Sequence, residues 1–228
     1  MQGASVSHAG AALTDAVVGL VVAAGRGERL GGDLPKALRS FGGRPMLAWA
    51  VDALKPVCGR VVVVGPPTRL AEVAAAVPDV IVVPGGATRG ASVRCGLAAL
   101  DPLPRYVLVH DAARPMAPTS LAERVLAALI DGARAVVPVL PLADTVKQVD
   151  SDGLVVSTPD RTSLRIVQTP QGFCAALLVA AHRDEVEATD DAALVEALGA
   201  PVHTVPGDPR AAKVTTPADL VLLELGRR

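Results

Sequence analysis

Short β-branched runs alternate along the chain with Ala/Leu-rich stretches of helical spacing, and this alternation limits the fold more than any other feature. The runs are Ala16–Ala23, Arg60–Val64, Val80–Val83, Tyr106–His110, Ala135–Val139, Ile166–Gln168 and Val202–Val205. Between them, Pro45–Leu54 puts Met46, Leu47, Ala50, Val51 and Leu54 on one helical face. Arg69–Ala76, Ser92–Leu100, Ser120–Asp131 and Asp190–Leu198 read the same way. Strand–helix alternation predicts an α/β protein with an open, mostly parallel sheet flanked by helices, joined by right-handed crossovers. Composition agrees. One Trp, one Tyr and two Phe leave the core to Val, Leu, Ile and Ala, which suits parallel strands covered by helices.

One segment breaks the pattern. Pro141–Phe173 holds two short extended stretches around Ser151-Asp152-Gly153, and Asp-Gly between alternating residues signals a β-hairpin. The sequence therefore predicts a hairpin arm, about residues 141–165, inserted in one domain that spans residues 16–228. A two-stranded arm alone is marginal in water, so a second subunit is its natural support.

Several function classes are disfavoured at once. A net charge of −1 provides no bulk attraction to nucleic acid or membrane. The longest apolar stretch, Ala16–Gly25, is too short to span a bilayer. Residues 1–15 lack the basic start and long apolar centre of a secretory signal and are expected to be a disordered lead-in. Cys58, Cys95 and Cys174 are far apart, show no metal spacing and read as idle thiols of a reducing compartment. The expected location is cytoplasmic.

In open α/β sheets, ligands bind outside the carboxyl ends of the strands. The first strand ends in VVAAGRGERLGGDLPKAL, Val21–Leu38. Gly25 and Gly27 let backbone N–H groups approach a ligand, while Arg26, Arg29 and Lys36 add positive charge suited to phosphates. The stretch lacks the Gly-Lys-Ser/Thr of a P-loop and the third glycine of GxGxxG, so by itself it also reads as a glycine-rich turn with solvated cations. Asp111, in VLVHDAARPM, follows a strand and could hold Mg²⁺ beside substrate phosphates or simply cap the next turn. His110 next to it could serve as a base, but reads first as a structural histidine, since a reaction at such phosphates needs no strong base. Gly85-Gly86 ends another strand, with Ser92 expected at a helix N-terminus as a base- or anion-recognition site. Lys213 precedes Thr216-Pro217-Ala218-Asp219, a helix start, and without further context a lone lysine there reads as solvated.

Taken together, AAGxGxR…LPK, GGxxRxxSV, VHDAARP, Asp144-Thr145-x-Lys147, Thr169-Pro170-Gln171, Thr189-Asp190-Asp191-Ala192 and KVTTPADL occur in that order. This constellation strongly resembles the 2-C-methyl-D-erythritol 4-phosphate cytidylyltransferases of the non-mevalonate isoprenoid pathway, from about Ala16 to the C-terminus. The resemblance implies a Rossmann-like fold with a β-arm, a homodimer and a need for Mg²⁺. It implies CTP contacts from Ala23, Ala24, Gly25, Gly27, Gly85, Gly86 and Ser92, and phosphate contacts from the catalytic cations Arg29, Lys36 and Lys213. It makes Asp111 a metal ligand and assigns Asp111, Arg114, Thr145, Arg161 and Thr169 to the methylerythritol phosphate, with Arg161 carried to the neighbouring subunit. Glu28 and Ala143 stand where the family commonly has a basic and a larger polar residue. The alternatives are a cytidylyltransferase for another polyol phosphate such as ribitol 5-phosphate, or a non-catalytic nucleotide-binding module. The presence of Lys36, Asp111 and Lys213 speaks against the latter.

Overall fold

Strand β1 (Val17–Val22) reads VVGLVV and is almost wholly buried, because helices cover both of its faces. The computed structural model describes residues 15–25 and 34–225. The lead-in expected over residues 1–15 and the loop residues Arg26, Gly27 and Arg29 thus lie outside the described residues, except for Asp15.

After β1 come the two-residue strands β2 (Ser40–Phe41) and β3 (Arg44–Pro45), then α1 (Met46–Leu54) and β4 (Arg60–Gly65). They are followed by α2 (Leu70–Ala76), β5 (Ile81–Pro84), α3 (Arg89–Ala98), β6 (Tyr106–Asp111), α4 (Thr119–Ile130) and β7 (Ala135–Pro141). The C-terminal part holds β8 (Gln148–Val149), β9 (Val155–Ser157), β10 (Arg165–Val167), β11 (Gln171–Cys174), α5 (Ala175–Ala181), α6 (Asp191–Ala197), β12 (His203–Pro206) and α7 (Pro217–Leu225). The eight-stranded main sheet runs β5-β4-β1-β6-β11-β7-β10, with β12 also pairing with β7. Within this sheet only β10 and β11 run antiparallel to their neighbours. The expected mostly parallel α/β sheet is therefore present. Among the described residues no helix is long and apolar enough to cross a membrane.

Alternate residues of β1 enter different cores. Val17 and Val21 join Leu47, Leu54 and Leu126 under α1 and α4, whereas Val18 and Leu20 join Val93, Leu97 and Phe173. Helix α3 lies close on the sheet because Gly96 meets Leu20; an added Cβ there would stand 2.3 Å from the Leu20 Cδ1. Since α3 carries the chain from β5 across to β6, the order of strands reverses between β1 and β6. The crevice at their carboxyl ends is where this class of fold binds ligands.

Beyond Pro141 the chain leaves the sheet and forms the arm. Strands β8 and β9 pair through Gln148↔Ser157 and Val149↔Val155, and Gly153 takes a positive φ of 82° in the turn. This is the predicted hairpin. The chain re-enters the sheet at β10. Its register against β7 then slips by two residues, from Val167↔Val139 to Gly172↔Val136. The slip bulges residues 168–170 toward the crevice, a common device for re-aiming side chains at a site.

Candidate active site

One side of the crevice begins where β1 and β5 end. Ala23 N–H donates to Val64 O at 2.8 Å, and Gly85 N–H to Gly65 O at 2.8 Å, so the two ends flank β4. A Cβ on Gly85 would stand 2.4 Å from the Ala24 Cβ and 2.9 Å from Ser92 Oγ. Ala24, Gly85 and Ser92 therefore meet at a contact that only glycine allows. Gly86 lies against Ala91, and Gly25 is exposed, with nothing among the described residues within 4 Å of where its Cβ would stand. The helix start expected at Ser92 is corrected. Helix α3 begins at Arg89, and Thr88 is its N-cap, accepting from Ala91 N–H at 3.0 Å. Ser92 sits a turn further in and donates its hydroxyl to Thr88 O at 2.8 Å. Lys36 opens a short 3₁₀ turn, Lys36–Leu38, after the loop that lies outside the described residues.

At the end of β6 stands Asp111. Ala112 N–H donates to Val22 O, which ties this turn to β1, and Val214 N–H donates to Ala113 O at 2.8 Å. The second bond brings Lys213 alongside. Its Nζ lies 2.7 Å from Asp111 Oδ2, and Arg89 Nε approaches Oδ1 at 3.6 Å. Asp111 thus pairs with cations rather than capping a turn, and Lys213 is not an idle surface lysine. Burial alone would raise the Asp111 carboxyl; Lys213 first and Arg89 next outweigh it and hold it at about 2.

The bulge supplies Thr169, whose Oγ1 accepts from Asp111 N–H at 3.0 Å and also bonds His110 Nδ1 at 2.9 Å. His110 is fully buried, and burial pushes its imidazole down to about 4, so it is neutral at pH 7 and structural. Arg114 donates its two terminal nitrogens to Ala211 O at 2.7 Å and Val167 O at 3.2 Å, fastening the Lys213 loop and β10 to the site.

These side chains share one cleft of about 250 Å³. Its walls include Arg89, Asp111, Arg114, Thr169, Gln171, Thr189, Asp190 and Lys213. Gln171 Nε2 donates to Asp190 Oδ2 at 2.7 Å, while Gln171 Oε1 has no partner among the described residues. Such a cleft, cationic around one carboxylate and beside a glycine-lined slot, suits a ligand rich in phosphate and hydroxyl oxygens.

Residues 17–226 match the family model described as IspD: 2-C-methyl-D-erythritol 4-phosphate cytidylyltransferase. The chain belongs to this family. A cytidylyltransferase of that name from Frankia casuarinae is 56% identical over 212 residues, covering 91% of this chain and 80% of the relative. Its namesake from Nocardia farcinica is 55% identical over 213 residues, covering 91% and 92%. The crystal structure of the Thermus thermophilus cytidylyltransferase superposes with a TM-score of 0.76 at 41% identity, covering 92% of this chain and 99% of that one. A synthase structure from Anaerococcus prevotii superposes at 0.80 with 29% identity, covering 94% and 100%.

Of the residues expected to serve the IspD site, Asp111, Arg114, Thr169 and Lys213 come together in the cleft, and Ala24, Gly85 and Ser92 form the adjoining slot. Thr145 and Arg161 do not line the cleft of their own chain; both are exposed on the arm. Arg161 also has a local partner that the sequence did not reveal, donating to Ala143 O. Sequence reading assigned no role to Arg89, Gln171, His182 or Asp191. Arg89 stood inside GGxxRxxSV and Asp191 inside TDDA, so their positions were marked but their pairing was not.

Proposed function

We propose that this chain transfers the cytidylyl group of CTP to 2-C-methyl-D-erythritol 4-phosphate. The products are 4-diphosphocytidyl-2-C-methyl-D-erythritol and pyrophosphate. The observation that carries the reading is Asp111 at the β1/β6 crevice, gripped on one oxygen by Lys213 and faced on the other by Arg89. In the reaction a phosphate oxygen of the acceptor attacks the α-phosphorus of CTP in line, and the bond to pyrophosphate breaks. That nucleophile is already an anion near neutral pH, so no general base is needed, which agrees with a neutral His110 behind the site.

The task left to the protein is to bring two polyanions together. Ala23, Ala24, Gly25, Gly27, Gly85, Gly86 and Ser92 would hold the nucleoside in the slot. Arg29, Lys36 and Lys213 would balance the charge of the triphosphate and the departing pyrophosphate. Arg114, Thr169 and Asp111 would position the acceptor, and fixing both partners lowers the entropic barrier. Lys213 is able to leave Asp111 for a phosphate because its own side chain is 42% exposed.

Asp111 also fits a Mg²⁺ ion. Among the described residues no group of three or more His, Cys, Asp or Glu side chains could hold a metal. One hard carboxylate oxygen beside phosphates is the donor set this cation uses at nucleotide sites. When bound, it supplies charge neutralisation at the reacting phosphates.

The arm supports a homodimer. Val149, Val155 and Val156 on its two short strands and Leu154 just before the second are all exposed, and a second copy would cover them and bring Thr145 and Arg161 to the neighbouring cleft. Nothing in the charge or hydropathy favours nucleic acid or membrane, and a cytoplasmic enzyme is the reading we adopt.

Pyrophosphate release tests the activity. We expect it with CTP plus methylerythritol phosphate, and little with ATP, GTP or UTP or with ribitol 5-phosphate as acceptor. Equal rates on ribitol 5-phosphate would move the acceptor to another polyol phosphate. No release with any acceptor would leave only a nucleotide-binding module.

A further inference from the structure

A buried ion chain runs behind the cleft. Asp191, the first residue of α6, is fully buried and is engaged on both oxygens. Arg89 Nη2 donates to Oδ2 at 2.7 Å, and His182 Nε2 meets Oδ1 at 3.0 Å. His182 closes α5, is also buried, and its Nδ1 has no partner among the described residues. Arg89 opens α3 and lines the cleft, with Nε facing Asp111 Oδ1 at 3.6 Å. The ends of three helices therefore converge on the Asp191 carboxylate.

Placing a carboxylate wholly out of water costs far more than a surface ion pair returns, and a junction of helices needs only apolar packing. The pairing does give direction. An unrestrained arginine samples many rotamers, whereas one gripped by a buried carboxylate has a single place to be. The two cations on Asp111 differ in this respect. Lys213 is 42% exposed and can be drawn toward a phosphate, while Arg89 is 26% exposed and anchored from behind. When Lys213 moves, Arg89 stays and keeps Asp111 aimed into the cleft.

We infer that Asp191, braced by His182, is a positioning residue that locks the Arg89 guanidinium against the Asp111 carboxylate. The inference rests on the cytidylyltransferase reading of this cleft.

Kinetics of the full-length chain with CTP and methylerythritol phosphate test it. Asp191→Asn and Arg89→Ala should each lower kcat by about tenfold to a hundredfold, as misplacement of an active-site group does. KM for CTP should change by less than about threefold, because the loss falls on the reacting state. In the Arg89→Ala background, Asp191→Asn should cost nothing further, since no guanidinium remains to be held. Arg89→Lys keeps the charge but cannot span both carboxylates, and it should behave like Arg89→Ala. His182→Gln, which retains a donor for Asp191, should be more active than His182→Leu. Independent costs that multiply in the double variant, or a wild-type rate in Arg89→Lys, would overturn the inference.

A readout free of activity accompanies the kinetics. Arg89 side-chain NMR should show a slowly rotating guanidinium in the wild type and fast averaging in Asp191→Asn; fast averaging in the wild type would also overturn it. If Asp191→Asn fails to fold, Arg89→Lys and the wild-type spectrum still decide. If the wild type transfers no cytidylyl group, the functional reading fails, and the NMR result still tells whether Arg89 is locked.

Discussion

Replacing Lys213 with methionine keeps the stem of the side chain and removes the ammonium 2.7 Å from Asp111 Oδ2. In the folded chain Asp111 titrates at about 2 instead of the ordinary 3.8, with burial opposing and Lys213 the largest favourable cause. A carboxyl held that far down contributes about 2 kcal/mol of stability at neutral pH. The folded value lies below the unfolded one. The contribution is therefore complete above about pH 4, about half remains at pH 3, and it disappears as the pH falls through 2. Because Lys213 is 42% exposed and partly screened by water, its own share is about 1–2 kcal/mol. Lys213→Met should then melt about 2–8 °C below the wild type at pH 7. The gap measured by urea unfolding should shrink by about half at pH 3. Turnover should fall by about 10²–10³, the usual cost of one preorganised charge contact. An equal stability gap at pH 7 and pH 3 would refute the electrostatic account. A variant that loses stability and keeps its turnover would reduce Lys213 to a structural tie.

Lys36→Ala should leave the fold intact and lower turnover by about 10²–10³; a rate within about threefold of the wild type would remove Lys36 from the catalytic set. Asp111→Asn keeps the size of the side chain and should raise the magnesium concentration needed for half-maximal rate, so an unchanged magnesium titration would make Asp111 a residue of the scaffold only. Gly85→Ala drives a methyl to 2.4 Å from the Ala24 Cβ. We expect a loss of about 1–3 kcal/mol in unfolding experiments together with a raised KM for CTP, and an unchanged KM would remove Gly85 from the nucleotide slot. For the arm, mixing Arg161→Ala chains with Lys36→Ala chains should yield heterodimers with one intact site, and so about half the wild-type dimer's activity. Heterodimers seen by native mass spectrometry that show no recovered activity would confine Arg161 to its own chain.

The parts of the fold that could be read from the sequence were those whose burial is uniform. Strands β1 and β4 are VVGLVV and RVVVVG, and a chain covered on both faces has little alternative to such runs. The hairpin was legible because Asp-Gly in its turn has a local physical meaning that needs no tertiary context. Strand β11, QGFC, was not legible. It contains no β-branched residue, and its extended form comes from pairing with β6 on one edge and β7 on the other. Helix α5, AALLVAA, is seven residues with no polar face, so it shows no period to detect. The start of α3 was misplaced because Thr88 and Ser92 are both capping residue types. The choice depends on which hydroxyl reaches a free N–H, and here Thr88 accepts from Ala91.

The candidate site divides along the same physical line. Residue types at strand ends can be read locally, since a glycine, a carboxylate or a lysine there has few uses. Which cation meets which carboxylate cannot, because the pairing is made by topology. Asp111 and Lys213 are 102 residues apart, and so are Arg89 and Asp191. The Asp111–Lys213 pair closes only when the chain has returned from β12, and the Arg89–Asp191 pair only when α6 has come to the start of α3. Arg114 illustrates the consequence. Its residue type fits a phosphate grip, yet the fold gives its two terminal nitrogens to the carbonyls of Ala211 and Val167. Through those bonds it fastens the loop that delivers Lys213 and the strand that precedes the Thr169 bulge. Moving Arg114 would therefore disturb both neighbours of Asp111 at once, so the same guanidinium that lines the cleft also sets the geometry of the groups around it.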